Sequence, residues 1–191
     1  MHARIRTLAL AALALSAVTT TACKKKPVVV PVPTPVVTPP FNQDSANAAE
    51  AARRAAAEAA ARMAAAVAAA KAQFATPVYF DYDMSNIRDD QRATLEAKLP
   101  IFAANPDMRI RVAGHTDNRG SDEYNLALGQ RRAAEVKQYL IARGIAADRI
   151  DVVSFGEERP AVALDNEDAW GKNRRGEFEI IAGANPFKLP R

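Results

Sequence analysis

The chain has 191 residues and a formal charge of +4, with 26 lysines and arginines against 22 aspartates and glutamates. That balance would suit a nucleic-acid binder, but its distribution does not: residues 1–75 hold nine basic and three acidic residues, and residues 76–191 hold 17 and 19. A nucleic-acid binder concentrates positive charge on its folded module, so no nucleic-acid partner is expected. The length suits one ordinary domain with extensions, and the single cysteine excludes an internal disulfide.

The N-terminus has the form of an export signal. "MHARIR" is a basic leader and "LALAALALSAV" (Leu8–Val18) an apolar run of eleven residues. A membrane-spanning helix needs roughly 20 apolar residues, so this run is too short to span. Cys23 follows in "TTTAC" behind the small Ala22. An ordinary signal peptide with a stray cysteine is one reading. The sharper one is a bacterial lipoprotein signal over 1–22, after which the Cys23 thiol carries diacylglycerol and becomes the mature N-terminus. Lys24, where an inner-membrane lipoprotein would have aspartate, resembles an outer-membrane address.

Two spacers follow. "PVVVPVPTPVVTPP" (Pro27–Pro40) lacks the amide donors for helix or central strand and should be polyproline II, so residues 23–44 form the lipidated N-terminus and a stiff linker. Residues 45–75 are alanine-rich. Ser45 is a plausible N-cap, and Glu50, Arg54, Glu58 and Arg62 stand four apart on one helical face. With almost nothing large to bury, this helix should be a rod or a weak self-associating coil, outside any core.

The domain is expected from Thr76 to the C-terminus, over 76–191. "VYFDYD" alternates as a strand. Ile87, Leu95, Leu99 and Phe102 recur at helical spacing, with Pro100 bending or breaking the helix late. "RIRVAGH" is a second strand with Ile110 and Val112 inward and Arg109 and Arg111 outward. A helix from about Ser121 to Arg143 ends at Gly144. "RIDVVSFG" is a third strand, a long connection holds a short helix near Glu167, and "GEFEII" is a final strand. Alternating strands and helices indicate an α/β (α+β) two-layer sandwich with helices on one face of a mixed sheet.

The helix after "RIRVAGH" carries the informative residue. At about 100° per residue, Tyr124, Leu128, Val136, Tyr139 and Leu140 fall on one apolar arc. Arg132 projects from near the middle of that arc, beside Asn125, while Arg131 points away. An inward arginine needs a partner, because an unpaired buried charge costs several kcal/mol. Asp117, in the loop feeding this helix, converges on the same sheet edge. Two readings stand: a structural salt bridge, or a zwitterion receptor in which Asp117 accepts an ammonium and Arg132 forks a carboxylate.

"VYFDYD", "GHTDNRGSDEYNLALGQRRAAEVKQYL", "VVSFGEERP" and "KNRR" together resemble the OmpA-like peptidoglycan-binding domain, in order over about residues 76–182. The resemblance implies a β-α-β-α-β-β fold that binds the meso-diaminopimelate of the peptidoglycan stem peptide. The family's ligand aspartate falls on Asp117 and its arginine on Arg132. Asn125 and Leu128 match its helix motif, Phe80 and Asp81 its "FD" edge, and Asn173 and Arg174 its "NRR". Gly129 matches the lipoprotein branch of the family, where other members have serine. With the lipoprotein signal, the resemblance further implies an outer-membrane lipoprotein, anchored by lipid on Cys23 and facing the periplasm. It would tether the membrane to peptidoglycan within the Tol–Pal system, with TolB as a partner.

Other chemistry is weakly represented. His115 is the one histidine beyond the signal and has no second His or Cys to make a metal site, nor a serine triad; a loop-packing role is expected. Asp81 and Asp83 would face opposite ways on a strand, against a glycosidase pair. Trp170 and Tyr124 read as packing residues. No enzyme activity, cofactor or metal is expected. A cell-wall hydrolase or amidase would need a nucleophile or metal cluster, and a stator-like cell-wall anchor a true membrane span.

Overall fold

The structure, a computed structural model, describes residues 42–190. The signal, Cys23 and the proline-rich linker lie outside the described residues, and the following concerns the unit beginning at Gln43.

In chain order the elements are α1 (Gln43–Ala75), β1 (Val78–Tyr79), α2 (Asp89–Glu96), α3 (Leu99–Ala104), β2 (Arg109–His115) and α4 (Asp122–Ile141). A short 3-10 turn (Ala147–Arg149) then leads into β3 (Ile150–Gly156), α5 (Glu167–Asn173) and β4 (Arg175–Ala182). The strands form one sheet in the order β1-β4-β2-β3, with β2 and β3 parallel and the other pairs antiparallel. Ile110, Val112, Ile150 and Phe178 point into a core shared with Val136 and Leu140 of α4. On the opposite face, Arg109 pairs with Asp151 and Arg111 with Glu179 across neighbouring strands. This is the two-layer α+β sandwich with a mixed sheet.

Three boundaries differ from expectation. "VYFDYD" is a strand only over Val78–Tyr79; the chain then turns, and Asp83 sits at φ 56°, a left-handed conformation that cannot continue a strand. The helix of 87–102 is two helices, broken at Ala97–Lys98 ahead of Pro100, which takes an early position in α3. The third correction concerns α1. Phe74 is buried, packs edge-on against Phe102 at 5.3 Å and Phe178 at 6.2 Å, and belongs to the core cluster with Ala70 buried beside it. The core therefore reaches into the last turn of α1, ahead of Thr76, through Phe74. Up to there α1 is an exposed rod, with its Glu58–Arg62 pair at 3.4 Å on the surface. No described helix is long and apolar enough to cross a membrane.

Lys98 secures that docking. It is 0 % exposed, and its ammonium donates to the carbonyls of Phe74 (2.6 Å) and Thr76 (2.7 Å), with that of Gln73 at 3.5 Å. Gln73 and Phe74 lie in the last turn of α1, where carbonyls run out of intrahelical partners, and Thr76 just beyond it. The same ammonium lies 4.1 Å from the centre of the Phe178 ring.

Two glycines set the height of α4 above the sheet. A Cβ on Gly114 of β2 would collide with the Gly129 carbonyl, and one on Gly129 would strike the Ser154 hydroxyl of β3. Glycine at both places lets α4 settle onto β2 and β3. Ser121 caps α4 by accepting from the Tyr124 amide, and Gly144, at φ 88°, follows its end.

Candidate functional site

β2 and β3 run parallel and end together at His115 and Gly156, and the loops leaving them border a crevice, a common place for a site. The Thr116 amide donates to the Gly156 carbonyl at 2.9 Å, carrying the pairing one step further. Asp117 follows directly, and α4 returns over the sheet with Arg132 facing down.

Arg132 is 0 % exposed, and its guanidinium is held by the chain's own backbone. Nε donates to the Met84 carbonyl at 2.8 Å, Nη1 to that of His115 at 2.8 Å and Nη2 to that of Asp81 at 3.0 Å. The Phe80 ring lies 5.2 Å away. An arginine has five N–H donors, so three serve the fold and two remain. Burial lowers its pKa to about 10, with Asp117 acting in the opposite direction, so it stays charged at neutral pH.

Asp117 is buried and pairs with two other arginines. Its carboxylate accepts from Arg119 Nη2 at 2.7 Å and Arg174 Nη1 at 3.2 Å, and from the Arg119 amide at 3.2 Å. Burial pushes its pKa upward, but these hydrogen bonds outweigh it, and the net shift is below the ordinary carboxylate value. Asp117 and Arg132 make no ion pair with each other. They line one cavity of about 20 Å³ together with Tyr82, Asp83, Thr116, Arg119, Tyr124, Asn125 and Leu128. A single structural bridge between the two is therefore not what this structure contains.

Of the remaining expected residues, Asn125 and Leu128 line this cavity, and Asn125 donates to the Arg119 carbonyl at 3.2 Å. Phe80 lies beneath it as a buried ring. The Asp81 carboxylate faces outward to Arg88 at 3.2 Å, and only its carbonyl meets Arg132. Arg174 stays behind Asp117, donating also to Glu167 at 2.7 Å and to the Phe80 carbonyl at 3.2 Å. Asn173 does not reach the cavity. Its amide closes on both backbone groups of Val162, at 3.0 and 2.9 Å, and fixes the connection before α5.

Sequence reasoning missed Arg119, Tyr82, Asp83 and Thr116. Asp83 accepts from the Tyr124 hydroxyl, a contact between residues 41 apart in the chain. Trp170 is not simple packing either, since its ring centre lies 4.2 Å from the Arg119 guanidinium carbon. The signal for Arg119 was its place two residues after Asp117, where an aspartate side chain bonds the local backbone. His115 ends β2, with its ring 5.5 Å from that of Phe155 and both ring nitrogens buried without a hydrogen bond, Nε2 lying 3.6 Å from Glu177 Oε2. Burial, then the Arg175 charge, drives its pKa down to about 4 against the pull of Glu177.

Fold and site together define a class: a mixed-sheet domain in which an acid just past one of two parallel strands and a base on the helix above them line one cavity without pairing with each other. The OmpA family model matches residues 79–174, half of the chain, and the chain belongs to the OmpA family. Among its relatives, the peptidoglycan-associated lipoprotein of Pasteurella multocida is 48% identical over 98 residues, covering 51% of this chain and 65% of the relative. That of Rhizobium meliloti is 41% identical over 107 residues, covering 56% and 60%. The chain thus spans just under two thirds of the length of these relatives. The crystal structure of the peptidoglycan-associated lipoprotein from Burkholderia pseudomallei superposes with a TM-score of 0.53 at 36% identity, covering 55% of this chain and 89% of that one. The C-terminal domain of Helicobacter pylori MotB reaches the same TM-score at 24% identity, a likeness of fold.

Proposed function

We propose that this protein is a lipid-anchored outer-membrane protein whose domain grips peptidoglycan non-covalently through the diaminopimelate of the stem peptide. The observation that carries the reading is the shared cavity. Asp117 is held ionised, Arg132 has two donors to spare, and the two do not pair. Such an arrangement suits the ammonium and carboxylate of one amino-acid head group. Phe80, Asp81, Asn125, Leu128 and Arg174 shape and support that site, and the role is binding rather than catalysis. The names of the relatives, peptidoglycan-associated lipoproteins, accord with this reading.

The chain order supplies the rest: a signal over 1–22, lipid on Cys23, the proline-rich linker, and α1 as a spacer of about 50 Å at 1.5 Å per residue. The domain would thereby reach the wall from the outer membrane, on the periplasmic side, with TolB as a protein partner in the Tol–Pal system. Co-sedimentation of the mature chain with purified sacculi, with free meso-diaminopimelate as competitor, tests the reading. Binding that diaminopimelate displaces is expected; binding indifferent to it would contradict the assignment.

A further inference from the structure

The cavity between Asp117 and Arg132 measures about 20 Å³, room for about one water molecule and too little for an amino-acid head group. The remaining space is filled by Arg119. Its Nη2 is 2.7 Å from Asp117 Oδ2 and its Nη1 3.7 Å from Glu167. Its guanidinium carbon lies 4.1 Å from the Tyr82 ring centre and 4.2 Å from that of Trp170, so two aromatic rings hold it. Two polar atoms nearby are orphaned: Arg119 Nε and the Thr116 hydroxyl oxygen, both buried without a partner. Thr116 is itself 2 % exposed and lines the same cavity.

Asp117 has two cationic neighbours, and they differ in how they are fixed. Arg174 is buried and tied to Asp117, Glu167 and the Phe80 carbonyl. Arg119 enters from the loop beyond the strand, its side chain is 31% exposed, and its grip consists of ring faces and ion pairs. It also leaves one N–H without an acceptor, a cost that leaving the cavity for water would remove.

Resting on the binding reading above, we infer that Arg119 is a displaceable plug: its guanidinium sits on Asp117 where the ligand's ammonium binds, and it swings out when a ligand enters. The ligand's ammonium takes over the Asp117 carboxylate and reaches the Thr116 hydroxyl, while Arg174 stays in place. A ligand must therefore bring its own cation. A dicarboxylate such as pimelate leaves the plug seated, whereas diaminopimelate removes it. The plug lowers apparent affinity by the fraction of molecules in which it is closed.

Trp170 is the chain's one tryptophan, and it reports the plug through its contact with Arg119. The mature chain is titrated with meso-diaminopimelate and with pimelate, following Trp170 emission by stopped flow. Diaminopimelate is expected to change the emission saturably and pimelate to leave it unchanged. Arg119→Ala should bind diaminopimelate about tenfold more tightly, mainly through faster association. Arg119→Lys, which keeps the charge but not the flat stacking surface, should fall between; melting curves confirm that both variants are folded. If the wild type binds diaminopimelate but Arg119→Ala binds equally or less well, the plug is overturned and the binding reading stands. If the folded wild type binds no diaminopimelate, both are overturned.

Discussion

Two buried basic side chains invite comparison, Lys98 at the docking point of α1 and Arg132 beneath the cavity. Both are 0 % exposed, both donate to backbone carbonyls, and both lie against phenylalanine rings. The difference lies in what remains. Lys98 has three donors and its carbonyls absorb them. Burial lowers its pKa to about 7, so its charge is costly to keep. Arg132 keeps two donors, faces a cavity shared with an ionised carboxylate, and stays charged. A buried cation that fastens a fold uses up its hydrogen bonds; one that serves a ligand holds some back.

Substituting each by methionine separates the two roles. Arg132→Met should lower sacculus affinity by about 100-fold or more, since two charge-assisted hydrogen bonds at about 1.5–3 kcal/mol each are lost. It should also lower the melting temperature, because three carbonyls lose their donor. Lys98→Met should leave affinity unchanged in the same co-sedimentation assay. Equal losses of binding would show that both residues act only through the fold.

Lys98→Ala should cost on the order of 3 kcal/mol, by opening a cavity and stranding the end of α1. Denaturant unfolding measures it, and hydrogen exchange should loosen first around Phe74–Thr76. Lys98→Met should recover part of the loss by filling the space. The pH response carries a sign: with a folded pKa of about 7 against 10.5, the unfolded chain binds the extra proton between those values. Stability from this group therefore rises with pH across that window, and Lys98→Met should flatten the rise.

His115 extends the contrast to a third buried base. Its folded pKa of about 4 lies below the ordinary 6.5, so the unfolded state takes up a proton first as pH falls. Stability should drop between pH 6.5 and pH 4, by on the order of 2 kcal/mol. Melts of wild type and His115→Gln across that range should show the larger drop in the wild type. The smallest effect belongs to the exposed part of α1, where Glu58→Ala should change stability by less than about 0.5 kcal/mol in denaturant titrations.

Much of this was legible in the sequence. Alternation marks β2, an apolar arc between Ser121 and Gly144 marks α4, and the one charge on that arc identifies Arg132 as turned inward. The arc misled at Tyr124, which is 45% exposed, because periodicity assigns a face but not how far the neighbouring layer extends. The docking of α1 was hidden because thirty residues of alanine-rich helix look alike until Phe74 meets Phe102 and Phe178. Lys98 was hidden for a related reason: its partners are carbonyls at the end of another helix, which no side-chain pattern announces. The site divided similarly. Asp117 and Arg132 stand out by charge and position, whereas Arg119 draws its place from Tyr82 and Trp170, residues 88 apart in the chain. Asn173 was misplaced because adjacency to Arg174 does not aim both side chains the same way.

A crystal structure with meso-diaminopimelate bound shows whether Arg132 withholds donors for a ligand that Asp117 also holds. The ligand carboxylate is expected on Arg132 Nη1 and Nη2, its ammonium on Asp117, with all three backbone contacts of Arg132 retained. A ligand bound away from this cavity, with Asp117 and Arg132 untouched, would contradict it.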